Sequence, residues 1–175
     1  IGHEFPVKRS LTINVNGLEK QIETGGRIDR LDEILVDGDN ARLRVVDYKT
    51  GGKAAESLKC VDDMFNPKFL GKKSDYTMQA MLYSLIEAKD DSEHNPNHRA
   101  VSPALLFIQH AGSDDYTPVL SIDNEEVTDV TVYEEDFLRN LTEKLEEIHN
   151  PNIAFAPTDN TDSCKYCPYK QMCGR

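Results

Sequence analysis

Asp47, Tyr48 and Lys49 close the run ARLRVVDYKT, and Asp29 stands upstream in GRIDRLD. In an extended strand side chains alternate, so Leu43, Val45, Asp47 and Lys49 share one face. An apolar strand thus ends by presenting a carboxylate and an ammonium side by side. Asp29 falls on what reads as the neighbouring strand and adds a second carboxylate. Two carboxylates and a lysine can hold a divalent cation and activate a water for attack on a phosphodiester. D-x-K alone is too short to exclude an ion pair that merely ends a strand.

Two further sets of residues carry chemistry. Gln79 and Tyr83 lie four apart on a helical pattern and so share a face. In isolation the pair reads as a core tyrosine and a solvent-facing glutamine; downstream of Asp47-Tyr48-Lys49 it reads as part of the site. Cys164, Cys167 and Cys173 have the C-x2-C-x5-C spacing of a metal–thiolate site, for an iron–sulfur cluster or zinc. A zinc-ribbon-like module would account for these cysteines and for nothing else in the chain. Four cysteines in 175 residues do not suggest a disulfide scaffold. Asp32 and Glu33 read as surface ion-pair residues, with Arg27 and Arg30 as partners.

The elements that must position these groups follow from periodicity. Residues 5–16 alternate weakly and end at Asn16-Gly17, a hairpin signal. A second strand, a turn at Asp37-Gly38-Asp39-Asn40 and a third strand complete an antiparallel meander with the acidic residues on its central strands. The stretch from Gly51 to Lys73 is broken by Gly and Pro, with room for a short helix. SDYTMQAMLYSLIEAK reads as an amphipathic helix with Met78, Met81, Leu82, Leu85 and Ile86 inward, capped by Ser74 or Asp75. VSPALLFIQHA reads as a strand buried on both faces, and 117–122 as a shorter edge strand. A last helix begins near Thr131 with a Thr131–Glu134 capping box and stops at Asn150-Pro151. Phe137, Leu141, Leu145 and Ile148 form its apolar stripe. The order predicts one α/β domain over residues 1–175: a central mixed sheet, antiparallel meander plus buried strand, flanked by helices.

Composition sets bounds. A chain of 175 residues can bury a sizeable single core. No apolar run spans a bilayer and no secretory signal opens the chain, so no membrane partner and a cytoplasmic location are expected. The net charge of −11 runs against nucleic-acid binding, although bound cations would compensate metal-binding carboxylates. Charge is uneven: Lys49, Lys53, Lys59, Lys68, Lys72 and Lys73 face only Glu56, Asp62 and Asp63 within 49–73. That side is the better candidate for DNA, though a solvated lysine-rich loop reads equally well there.

GRIDRLD, VVDYKTGGK, the helix with Gln79 and Tyr83, and the cysteine cluster occur in the order found in the RecB/AddB-like branch of the PD-(D/E)xK nucleases, which the chain resembles from about Glu4 to Arg175. The resemblance implies a restriction-endonuclease-like fold and a Mg2+- or Mn2+-dependent DNase, an exonuclease rather than an endonuclease. It implies Asp29, Asp47 and the Tyr48 carbonyl as metal ligands and Lys49 as the residue that orients or deprotonates water. It places Gln79 near the metal and Tyr83 against the DNA strand. Cys164, Cys167 and Cys173 match three ligands of an AddB-like 4Fe-4S staple whose fourth cysteine lies far upstream. The family's metal-binding histidine, on an earlier helix, has no counterpart here, since His3 precedes a strand-like Glu4-Phe5-Pro6. Together with a start at Ile1, this suggests a segment of a longer polypeptide, with a helicase region or partner helicase–nuclease subunit and a role in double-strand break repair and recombination. A stand-alone CRISPR-associated RecB-like exonuclease shares the same elements. From a different class, a catalytically inactive domain that only binds DNA or a partner has the same fold, but it has no physical need for Asp29, Asp47 and Lys49 together.

Overall fold

A computed structural model describes all residues except Asp39, Lys53, Asp90 and Asn160, and leaves out the side chains of Leu70, Gly71, Asp162 and Ser163. The meander is present as β1 (Gly2–Val15), β2 (Leu18–Asp37) and β3 (Asn40–Lys49). Its first turn is the expected one: Asn16 and Gly17 both have positive φ, 53° and 83°, the backbone that a two-residue primed turn requires. Val15 pairs with Leu18 across it. Asp37 and Asn40 pair across the second turn, in which Asp39 lies outside the described residues.

β4 (Val101–Phe107) lies parallel to β3, so the four-stranded sheet runs β1-β2-β3-β4 and is mixed. Parallel strands need a long crossover, and helix α1 (Ser74–Glu87) supplies it. Val101 through Leu105 are all buried, as expected of a strand covered on both faces. Leu31, Leu43, Val45, Met81, Leu85, Leu105 and Phe107 belong to one core cluster beneath α1.

Several local expectations are corrected. The segment 51–73, with room for a short helix, holds two of the 3-10 type, Val61–Phe65 and Pro67–Lys72. Neither Ser74 nor Asp75 caps α1: Lys73 occupies that position, in the left-handed region at φ 66°, and its side chain makes no capping bond. Ser74 is fully buried, so its side chain belongs to the interior and not to the helix end. α1 also buries more than the predicted stripe, adding Thr77, Ala80, Tyr83, Ser84 and Glu87, while Met78 and Leu82 are half-buried. The edge strand over 117–122 reduces to a bridge between Ala104 and Val119 and a two-residue strand β5 (Ser121–Ile122) pairing with β6 (Glu125–Glu126).

Helix α2 (Glu134–His149) follows a 3-10 turn at Val130–Tyr133 that Asp129 caps by accepting from the Thr131 amide. The predicted Thr131–Glu134 box is therefore replaced by an Asp129 cap. Phe137 is fully buried, Leu141 and Leu145 are half-buried, and Ile148 is exposed. The stripe thus thins as α2 leaves the core. Among the described residues, no helix is long and apolar enough to cross a membrane.

Candidate active site

β3 delivers its polar residues to the sheet's end as alternation requires. Leu43, Val45 and Asp47 are buried and Lys49 half-buried, whereas Tyr48 is exposed. The β2–β3 ladder runs to Arg30–Val46; one step further along that register, Asp29 stands beside Asp47. There the Asp29 side chain takes over from the ladder, its Oδ2 accepting from the Tyr48 amide at 2.7 Å. This bond ties the two strands together where Asp29 and Asp47 stand side by side.

Asp47 is only 5 % exposed. Its Oδ2 lies 2.6 Å from Lys49 Nζ but outside hydrogen-bonding angles, so that buried oxygen is an ion-pair partner without a directed donor. Burial pushes the Asp47 carboxyl above the usual carboxylate range. The Lys49 ammonium at ion-pair distance opposes that, and the Asp29 charge adds to the upward push.

Lys49 is held from the helix side. Its Nζ donates to Gln79 Oε1 at 3.1 Å and sits 4.2 Å from the centre of the Tyr76 ring. Gln79 Nε2 in turn donates to the Tyr83 hydroxyl at 3.1 Å. An ammonium can only donate, so the amide oxygen must face Lys49 and the NH2 must face Tyr83. Asp47, Lys49, Gln79 and Tyr83 therefore form one connected chain from sheet to helix. Tyr83 is 7 % exposed, and its hydroxyl anchors the amide from within the core.

Two participants escaped the sequence reading. Tyr76 sits three residues before Gln79, a spacing that places it on the same helix face; that signal was available, but an aromatic in a helical stripe reads as core. Gly26 is the other. A Cβ there would stand 1.9 Å from the Tyr83 hydroxyl, a contact between residues distant in sequence and invisible to local pattern. Its neighbour Gly25 has φ 154°, and a Cβ there would meet the Val7 carbonyl oxygen at 2.1 Å. The pair lets β2 pass closely over both β1 and Tyr83. Gly26→Ala is expected to displace the Tyr83 hydroxyl and destabilise the fold by about 1–3 kcal/mol, the usual cost of overpacking. Thermal melting checks this; an unchanged Tm would show that Tyr83 is free to swing.

Asp32 and Glu33 take the structural roles expected of them, with one change of partner. Arg30 Nε is 2.8 Å and Arg44 Nη2 2.9 Å from the Asp32 carboxylate. Glu33 pairs with Arg99 and not with Arg27, which pairs with Glu4. Arg30 also donates to the Tyr48 hydroxyl at 2.9 Å, drawing that side chain away from the carboxylates.

The described residues contain no group of three or more His, Cys, Asp or Glu side chains that could hold a metal. Asp29 and Asp47 nevertheless suit a small hard cation. The underused Asp47 Oδ2 is buried beside a second carboxylate, and Mg2+ is commonly held by one or two carboxylates with water in its other positions. Mn2+ accepts the same oxygen donors.

A family model described as the PD-(D/E)XK nuclease superfamily matches residues 1–174. The chain belongs to the PD-(D/E)XK nuclease superfamily. No curated protein and no solved structure matches it. The mixed sheet with flanking helices is consistent with the restriction-endonuclease-like fold.

The cysteines of this superfamily member are a separate matter. Cys164 and Cys173 end two 3-10 turns in the C-terminal tail, and none of the four cysteines forms a disulfide. The described residues do not gather three thiols into a ligand set, and Cys60, exposed beside the turn at Val61–Phe65, is the remaining thiol. As arranged, they do not fit a 4Fe-4S cluster, which takes four thiolates. The 175-residue chain, purified without oxygen, is expected to carry well under one cluster's iron per chain. Iron and sulfide analysis with visible absorbance checks this; a full cluster would require Cys60 or a non-cysteine ligand.

Proposed function

We propose that the chain is a metal-dependent deoxyribonuclease domain that hydrolyses phosphodiester bonds as an exonuclease. The observation that carries this reading is the continuous linkage Asp47–Lys49–Gln79–Tyr83 with Asp29 alongside. An ion pair that only ended a strand would not need its lysine aimed by a helix-borne amide whose own anchor is buried.

Asp29 and Asp47, with the Tyr48 carbonyl, would hold Mg2+ or Mn2+. Bound there, the cation supplies Lewis acidity toward the phosphoryl oxygens and lowers the pKa of water for attack. Lys49 places a positive charge where negative charge develops on the phosphate and can accept a hydrogen bond from no one, so it acts as a donor to phosphoryl oxygen or water. Gln79 fixes the lysine's direction. Tyr83 fixes Gln79 and excludes water beneath the site.

The setting of this activity is the nuclease part of an ATP-dependent helicase–nuclease acting in double-strand break repair and recombination, located in the cytoplasm. That extension rests on the order of the four sequence elements, the cysteine spacing included, and a partner helicase subunit or region follows from it. A 4Fe-4S cluster in such a parent would need a fourth cysteine from outside these residues. Labelled single- and double-stranded DNA, incubated with and without Mg2+ or Mn2+, tests the activity. Cation-dependent release of mononucleotides or short oligomers from strand ends is expected, and intact substrate with either cation would reject the reading.

A further inference from the structure

The exposed side of the Asp47–Lys49–Gln79 linkage continues along α1 to a residue that no part of the chemistry above uses. Lys73 precedes the helix in the left-handed region, at φ 66° and ψ 35°. A lysine holds that backbone unfavourably, whereas Gly or Asn adopts it readily. Its Nζ lies 5.1 Å from the centre of the Tyr76 ring, the same ring that Lys49 approaches to 4.2 Å. Two like charges therefore converge on one aromatic platform, and the Lys73 ammonium has no carboxylate within ion-pair distance among the described residues.

The neighbouring lysine shows the contrast. Lys72 is 3.7 Å from the Glu56 carboxylate and 5.5 Å from the Phe69 ring, so it is already compensated. Lys73 is not. The shared ring ties it to the site: Gln79, which holds Lys49, follows Tyr76 by three residues on α1, a rise of roughly 4.5 Å at about 1.5 Å per residue. A strand whose cleaved phosphate lies at Lys49 would bring a flanking phosphate toward Lys73.

We propose that Lys73 binds the DNA backbone phosphate next to the one being cut, with Tyr76 holding the two ammonium groups at adjacent phosphates. The proposal rests on the nuclease reading for the position of the cut. Lys73 is a substrate-binding residue: it supplies sequence-independent affinity, and Lys49 supplies charge stabilisation at the reacting phosphate.

The test uses Lys73→Asn and Lys73→Arg, with cleavage kinetics and equilibrium binding of labelled single-stranded DNA in Mg2+ and in Ca2+ respectively. Asn removes the charge while suiting the left-handed backbone, so Lys73→Asn should melt no lower than wild type. Its KM is expected to rise about tenfold with kcat within about twofold, and its log K against log salt slope to become shallower by about 0.7, the loss of one phosphate contact to a single strand. Lys73→Arg should restore both. Wild-type KM and salt slope in Lys73→Asn would overturn the assignment while leaving the nuclease reading intact. A fall in kcat with unchanged KM would also overturn it, making Lys73 a support for Lys49. The binding slope reads Lys73 even in a protein that fails to cut, so a failure of the nuclease reading is seen separately, as intact DNA with wild type.

Discussion

Asp47→Ala is expected to lower the cleavage rate by about a thousandfold or more: on the proposed metal-dependent reading it deletes a cation ligand, and with it several kcal/mol of transition-state stabilisation. The same change should leave the fold intact. Asp47 is buried with one oxygen lacking a directed donor, and its carboxyl is held above the usual range even with Lys49 beside it. For a carboxyl raised in the folded state, the native protein binds the proton more tightly than the unfolded chain. The cation-free fold therefore loses stability as pH rises from the ordinary carboxylate value through the raised one. At neutral pH without cation, removing the charge by Asp47→Asn should consequently raise Tm or leave it unchanged. Added Mg2+ or Mn2+ should then stabilise wild type and not Asp47→Asn, because only a native state with both carboxylates gains from binding. Melting curves with and without cation, beside cleavage assays, separate a metal ligand from a structural ion pair. Cleavage at the wild-type rate by Asp47→Ala would remove Asp47 from the site.

Much of this site was legible because its residues obey local periodicities. Alternation put Asp47 and Lys49 on one face of β3, and helical spacing put Gln79 and Tyr83 on one face of α1. What alternation cannot supply is the distance across the crossover: that Lys49 reaches Gln79 depends on how α1 packs over β3 and β4. Gly26 is the sharper case. It lies within the second predicted strand with no signal of its own, yet its use is to admit the Tyr83 hydroxyl from an element 57 positions away.

The missing cap at α1 has a packing cause. Ser74 is expected at the helix end because a serine side chain satisfies free amides. Ser74 instead turns into the core, and the chain enters α1 through a left-handed lysine after the turn at Pro67–Lys72. Tertiary packing overrode the local preference. The hairpin at Asn16-Gly17 had no such competitor, being exposed, and formed as its residues dictate.

Lys49→Ala should reduce the chemical step by about 10²- to 10³-fold, the range found when one preorganised donor to a developing negative charge is removed. DNA affinity should fall little, because phosphate contacts elsewhere carry the salt-dependent binding. The structure makes the two effects separable. Lys49 is half-buried between the Asp47 carboxylate at 2.6 Å and the Gln79 amide at 3.1 Å, so most of its charge is spent within the protein until a phosphate arrives. A lysine so held contributes little long-range attraction yet sits preorganised for the transition state. Single-turnover cleavage with saturating enzyme measures the step directly, and a binding titration in Ca2+ measures affinity. Gln79→Ala should show a milder version of the same pattern, since it frees the lysine without removing it. A Lys49→Ala protein that binds DNA poorly but cuts at the normal rate once bound would make Lys49 a phosphate anchor, and the linkage through Gln79 and Tyr83 would then serve substrate binding and not the chemical step.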